Sequence, residues 1–336
     1  MATIRLITAT IASSTALLAS CSSAPDVAPT GDGSAPVRSA VFFGDSLTDA
    51  GTYGMRFTTN PGRSWAQIVS ERLGQSTEPN VHVDDPSQIY VGVPPLTGPG
   101  GPNYAQGGAR ADAAYSTVSD DPNGAPWSTA VQVDRYLSAN DSFRDDQLIT
   151  LFVGTNDVAY HYDTTKSPLG QQLRDNVAVD AATMRIEKDR VESAADAAAA
   201  TANRIVDNGA RHLMVFELYD LSAAPWFRTD AARSYISQLT EAYNARLNAQ
   251  LDDNPAIELM RTDDFIDTLL TDGSRHGLQH FANEDACREP DQDYCDETGL
   301  ADPDADRTYV FAGSVHFTTR TNELFADWVL NEAGVA

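Results

Sequence analysis

Basic residues are scarce in this chain. It has 23 Lys and Arg against 48 Asp and Glu in 336 residues, which gives a formal net charge of −25. So acidic a chain has no electrostatic attraction to nucleic acid or to an anionic membrane surface, and we expect no nucleic-acid partner. The charge favours solubility and does not by itself indicate a chemistry.

Cysteine is scarce as well, with three residues in the whole chain. Two of them, Cys287 and Cys295, lie in one acidic loop over residues 284–306. Two cysteines so placed in an exported protein most simply form a disulfide. A metal pair is the alternative, but only His280 could add a ligand nearby, so we predict a disulfide and no metal site.

Long hydrophobic runs and internal repeats are also lacking. Residues 1–20 are mostly apolar or small and weakly basic at Arg5, which is typical of a secretory signal and too short to predict a membrane span. The stretch Leu18-Ala19-Ser20-Cys21 resembles a bacterial lipoprotein cleavage box, which implies a lipid on Cys21 in the mature protein. A plain secretory signal cut nearby is the alternative.

The segment after Cys21 is rich in Ser, Pro, Gly and Ala, and residues 21–36 are therefore expected to form a flexible tether. One domain would follow, over residues 37–336. We expect an exported protein that meets a membrane only through its lipid anchor, in the periplasm or on the cell surface, and that is otherwise secreted.

The rest of the chain alternates between strand and helix patterns. Hydrophobic residues make up 42% of the sequence, enough for a sizeable core. Apolar runs of strand length occur at 40–44, 147–153, 212–218, 256–260 and 308–311, and helical patterns at 64–74, 127–138, 185–208, 231–251 and 320–331. This alternation predicts an α/β protein with a mostly parallel sheet that helices cover on both faces.

Small and polar residues follow several of these strands. Ser46 comes just after the first strand, beside a glycine that permits a sharp turn, and Asn156 follows the second. Gly108 and His316 lie in similar segments. Because the carboxyl ends of parallel strands meet at one edge of a sheet, we expect these four residues to lie around one crevice.

An ester-cleaving serine needs a base that takes its proton and donors that hold the oxyanion. The residues that could supply these parts match known motifs: Gly44-Asp45-Ser46-Leu47 resembles the first block of the GDSL, or SGNH, esterases and lipases. The segments 103–108, 154–157 and the one around His316 resemble the second, third and last blocks, in the family's order.

The resemblance implies a flavodoxin-like three-layer α/β/α fold and a role for each residue. Ser46 would be the nucleophile and His316 the base. The main-chain N–H groups of Ser46 and Gly108 and the side chain of Asn156 would hold the oxyanion, with Gly107 as the alternative glycine. No cofactor is implied.

The last block departs from the family at one position. The family has an aspartate three residues before the histidine, where this chain has Gly313. Asp302, Asp304 and Asp306 would lie at the far end of the preceding strand. We therefore expect a Ser–His dyad in which a backbone carbonyl near Gly313, that of Gly313 being the candidate, accepts the imidazole N–H.

The sequence thus predicts a serine hydrolase that cleaves small-molecule or lipid esters with short to medium acyl chains. An acyltransferase or a carbohydrate deacetylase with the same machinery is an alternative. The missing aspartate motivates a third interpretation, a lipoprotein that binds acylated ligands without turning them over.

Overall fold

Four parallel strands form the centre of the protein. This computed structural model describes residues 36–83, 98–113, 126–164, 167–251 and 254–335. The strands lie side by side in chain order, as β1 (Ser39–Gly44), β2 (Gln147–Phe152), β3 (His212–Phe216) and β4 (Ile257–Met260). All residues of β1 and β2 are buried, as expected for strands covered on both faces.

A short extended segment continues the sheet beyond β1. The amide of Tyr104 donates to the carbonyl of Phe42 at 2.8 Å, and the amide of Phe42 donates to the carbonyl of Pro102 at 3.1 Å. Phe42 and Asn103 pair in the parallel direction. The chain around Asn103 therefore runs beside β1 on the side away from β2, which brings the following glycines to the same edge of the sheet as Ser46.

The described residues contain ten α-helices. Their bounds are α1 (Trp65–Arg72), α2 (Thr129–Asn140), α3 (Thr155–Val158), α4 (Tyr160–Asp163), α5 (Pro168–Arg174), α6 (Ala181–Asp207), α7 (Asp230–Leu251), α8 (Thr262–Asp272), α9 (Ala305–Thr308) and α10 (Thr319–Glu332). The predicted long helices are confirmed, with α6 and α10 slightly longer than expected. None of the described helices is long and apolar enough to cross a membrane.

Adjacent residues of β1 show that helices cover both faces of the sheet. Phe42 packs edge-on against Trp65 of α1, with ring centroids 5.6 Å apart. Phe43 packs edge-on against Tyr136 of α2 at 5.9 Å. Since successive side chains of a strand point to opposite faces, α1 and α2 lie on opposite sides. The predicted α/β class with a parallel sheet between helices is confirmed.

The last predicted strand lies in a different sheet from the one expected. β6 (Tyr309–Ala312) pairs in parallel with β5 (His280–Asp285) and antiparallel with β7 (His316–Phe317), and these three form a second sheet. His316 is therefore part of a strand and not of a loop after a strand of the main sheet. Because β7 is two residues long, its pattern could not be recognised in the sequence.

The disulfide prediction is confirmed. Cys287 and Cys295 are bonded, with their Cα atoms 5.7 Å apart, and both are buried in a small cluster of their own. The predictions for residues 1–20 and for the tether up to residue 35, with Cys21, lie outside the described residues. The described part of the predicted 37–336 domain belongs to one compact unit.

Candidate active site

Ser46 and His316 meet at the edge of the main sheet. The Ser46 Oγ and the His316 Nε2 are 2.8 Å apart, although 270 residues separate them in the chain. Both residues are buried, Ser46 at 6% and His316 at 3% exposure. This is the distance and the enclosure that a serine nucleophile and its base require.

The position of Ser46 follows from a close approach between two strands. A Cβ atom on Gly44 would lie 2.4 Å from the carbonyl oxygen of Phe152, so only glycine lets β1 end against β2 in this way. The buried Gln132 of α2 braces the same residue, because its amide accepts from the Gly44 N–H at 3.0 Å and donates to the Gly44 carbonyl at 2.9 Å. These contacts fix the end of β1, two residues before Ser46.

His316 is held by packing on one side and by its strand on the other. The ring of Phe57 lies 5.1 Å from the imidazole. The main chain on either side of His316 accepts hydrogen bonds from Tyr219 at Val315, at 2.5 Å, and from Thr58 at Phe317, at 2.7 Å. Because the ring is buried, it is restricted to this orientation, in which Nε2 points towards Ser46 Oγ.

Among the described residues, two main-chain N–H groups at this cavity have no hydrogen-bond acceptor. Over the described residues, neither the Ser46 N–H nor the Gly108 N–H makes a hydrogen bond. The Gly107 N–H, in contrast, donates to Asp49 Oδ2 at 2.8 Å, so Gly107 is not available as a donor. Gly108 has φ of 82°, a conformation that favours glycine, and lines the same cavity as Ser46. Such a pair of N–H groups can bind an oxyanion.

The side chain of Asn156 also faces this cavity. One of its amide hydrogens donates to the carbonyl of Ala109 at 2.9 Å, which leaves the other available to a bound substrate. The next residue, Asp157, is buried and accepts from Arg110 at 2.8 Å and from the Ala111 N–H at 3.0 Å. These contacts join the Asn156 turn to the loop that carries Gly108.

The cavity around these groups is small and largely apolar. Its volume is about 130 Å³. Besides Ser46, Gly108, Asn156 and His316, it is lined by aromatic and aliphatic side chains from several elements, among them Tyr53, Met55, Phe57, Ala159, Trp226 and Val315. A cavity of about 150 Å³ holds a benzene-sized molecule, so this one suits a short acyl group.

The surroundings of the imidazole bear on the role predicted for Gly313. Burial lowers the pKa of His316, and the carboxylate and the main chain of Asp293 oppose this by raising it. The Gly313 carbonyl makes no hydrogen bond to His316 within the described residues, and Nδ1 has no partner there at full hydrogen-bond geometry. The role of the Gly313 carbonyl stays a prediction, and the groups that raise the pKa of the imidazole belong to Asp293, in a neighbouring loop.

Sequence reasoning also missed several residues that support the site. Asp157 lies inside a recognised motif and Asp49 lies two residues after another, and their nearness to Asn156 and Ser46 was a usable signal. No pattern pointed to Gln132, whose role depends on how α2 packs against β1. Asp293 lay in the acidic loop without any motif around it. Of the histidines in the part of the chain that the structure describes, only His316 lines the cavity.

Over the residues that the structure describes, no cluster of His, Cys, Asp and Glu could hold a metal ion. Asp302 accepts a hydrogen bond from Tyr309 at 2.9 Å, and neither it nor Asp304 or Asp306 is among the described residues that line the cavity.

Comparison with known proteins finds a family, one curated relative and one similar solved structure. The family model described as GDSL-like lipase/acylhydrolase matches residues 41–329. Phosphatidylcholine-sterol acyltransferase of Aeromonas hydrophila is 30% identical over 186 residues, which cover 54% of this chain and 48% of that protein. The matched segment thus spans about half the length of that curated relative. Among solved structures, Est24, a carbohydrate acetylesterase from Sinorhizobium meliloti, is 15% identical with a TM-score of 0.39, covering 88% of this chain and 99% of its own.

Proposed function

The chain belongs to the GDSL-like lipase/acylhydrolase family, and on this basis we propose that it is a serine hydrolase of carboxylic esters with short acyl chains. The observation that carries the proposal is the 2.8 Å contact between Ser46 Oγ and His316 Nε2 beside two N–H groups without acceptors. The cavity of about 130 Å³ supports the preference for short chains.

The reaction runs through an acyl-enzyme. Ser46 Oγ attacks the ester carbonyl carbon while His316 Nε2 takes the hydroxyl proton. The oxyanion is stabilised by the N–H groups of Ser46 and Gly108 and by the Asn156 amide. The C–O bond of the leaving group then breaks, and the alcohol departs with the proton from His316. Water attacks the acyl-enzyme with His316 as base, which releases the acid and restores Ser46.

The test is hydrolysis of p-nitrophenyl acetate, butyrate and palmitate by the wild type and by Ser46→Ala. We expect turnover of the short esters, little of palmitate, and a loss of about 10³-fold or more in the variant. Equal rates in the two proteins, or no turnover of any ester, would contradict the proposal.

A serine-directed fluorophosphonate gives a second readout that needs no turnover. Ser46 and Ser314 both line the cavity over the described residues, so Ser314→Ala is the matched control. The adduct is expected on Ser46 and should persist in Ser314→Ala.

Acyl transfer is the second candidate, because the Aeromonas relative is an acyltransferase. The same acyl-enzyme would then pass its acyl group to an alcohol in place of water. Adding glycerol or a sterol to the ester assay separates the two: ester products that outnumber free acid indicate a transferase.

We also propose export and lipid attachment at Cys21, which rest on the sequence pattern alone. Mass spectrometry of the mature N-terminus is the test. A first residue Cys21 with a diacylglycerol mass supports the proposal, and an unmodified N-terminus at another residue contradicts it.

A further inference from the structure

The space that the family fills with an aspartate is filled here by another part of the chain. Gly313 has φ of 73°, and a Cβ atom there would lie 2.4 Å from the carbonyl oxygen of Gln292 and 2.8 Å from the carbonyl carbon of Asp293. Contacts this short do not occur for real side chains. Gly313 is therefore small because the main chain of residues 292–293 packs against it, which brings that segment next to His316.

The segment belongs to the loop that the disulfide closes between Cys287 and Cys295. Asp285 joins the start of this loop to the His316 hairpin, because its Oδ1 accepts from the N–H groups of Cys287 and Gly313, each at 2.8 Å. At the other end, the Cys295 carbonyl accepts from the Asn60 N–H at 2.7 Å. The loop is thus fixed at both ends, with residues 292–293 between them.

Asp293 faces the active site from this loop. It lines the same cavity as Ser46 and His316, and its Oδ1 accepts from the Ser314 hydroxyl at 2.7 Å. Ser314 is buried at 5% exposure and precedes His316 by two residues, so this hydrogen bond directs the carboxylate towards the His316 strand. The Asp293 residue as a whole remains exposed to solvent on its other side.

We propose that Asp293 replaces the missing acid as a positioning residue, holding the His316 imidazole with Nδ1 protonated and Nε2 free to accept the Ser46 proton. The inference rests on the proposed function. The influence of Asp293 on the His316 pKa, which it raises against the effect of burial, agrees with this role. Tyr53 and Asp163 are the other ionisable groups that line the cavity over the described residues.

Its effect should be smaller than that of a buried triad acid. Replacing such an acid costs a serine protease about 10⁴-fold in kcat. Asp293 is exposed, and its carboxylate makes no hydrogen bond to Nδ1 within the described residues. Solvent screens its charge, so we expect Asp293→Asn to lower kcat about tenfold and to leave KM nearly unchanged.

The experiment combines kinetics with titration of the His316 ring by NMR, in the full chain with its disulfide intact. Glu289→Gln is the matched control, since it removes one negative charge from an exposed position of the same loop. In Asp293→Asn the His316 pKa and the acid limb of the kcat/KM profile should both move to lower pH. Glu289→Gln should behave as the wild type does.

Ser314→Ala provides a second route to the same result, because it removes the donor that directs the Asp293 carboxylate. It should lower kcat less than Asp293→Asn does and add nothing to that variant. An unchanged His316 titration and kcat in Asp293→Asn would overturn the inference. The NMR titration needs no turnover, so an absence of esterase activity in every protein would count against the proposed function and not against the role of Asp293.

Discussion

Gly313→Asp places an aspartate where the family has one, and the structure predicts that it will damage the protein. The residue has φ of 73°, and left-handed backbone costs a non-glycine residue about 1–2 kcal/mol. The new Cβ would lie 2.4 Å from the Gln292 oxygen, so that loop must move by about 1 Å to restore an ordinary contact. Such overpacking costs about 1–3 kcal/mol.

Together these terms predict a loss of about 2–5 kcal/mol in the free energy of unfolding, or roughly 5–15 °C in Tm for a domain of this size. The displaced loop carries Asp293, so kcat should also fall, by about tenfold. Urea unfolding, thermal melting and p-nitrophenyl acetate hydrolysis measure these effects. Gly313→Ala should be similarly destabilised, because the clash begins at Cβ.

Gly277→Asp is the matched control. Gly277 has φ of 87°, and no atom lies within 4 Å of the position that a Cβ would take there, so this variant tests the backbone strain without the clash. We expect a loss of about 1–2 kcal/mol and unchanged kcat. If Gly313→Asp proved as stable as Gly277→Asp and hydrolysed esters faster than the wild type, the packing of the disulfide loop against Gly313 would be refuted.

Three further predictions concern the residues around the site. Asp49→Asn would place a side-chain N–H group against the Gly107 N–H. This should shift the neighbouring Gly108 N–H, which is an oxyanion donor, and lower kcat about 10²-fold in the p-nitrophenyl acetate assay. Burial raises the pKa of Asp45 to about 7, so the stability from its bound proton is complete below about pH 4 and is lost as pH rises through 7. Asp45→Asn should therefore flatten the fall of the unfolding free energy between pH 4 and 7 in urea titrations. Replacing Cys287 and Cys295 by serine should cost about 2–3 kcal/mol of stability and lower kcat several-fold, because the Asp293 loop is released.

Each of these has its own contrary outcome. Asp141→Asn, at an exposed position with φ of 61°, is the control for Asp49→Asn, and equal kcat in the two variants would exclude a role for Asp49 in the oxyanion site. An unchanged pH dependence of stability in Asp45→Asn would mean that Asp45 is already ionised at pH 5. If the variant with serine at positions 287 and 295 is less stable but keeps the wild-type kcat, the disulfide contributes to stability and not to catalysis.

Much of the site could be predicted from the sequence because its parts are local. Ser46 and Asn156 each follow a recognisable buried strand within a few residues, and parallel strands end at one edge of a sheet. The order of strands and long helices was predictable for the same reason, since each has its own hydrophobic period. The short helices α3, α4, α5 and α9 lack enough turns to show that period, and they were missed, as was the longer α8.

The tertiary structure alone decided what surrounds the imidazole. The sequence alone showed that Gly313 stands three residues before His316, where the family has an aspartate. It did not show that the loop closed by the disulfide fills the space that the aspartate side chain would take. That contact joins segments about 20 residues apart whose patterns contain no sign of each other. It depends on the packing of a disulfide loop against a short hairpin, and such long-range packing has no signature in local composition or spacing.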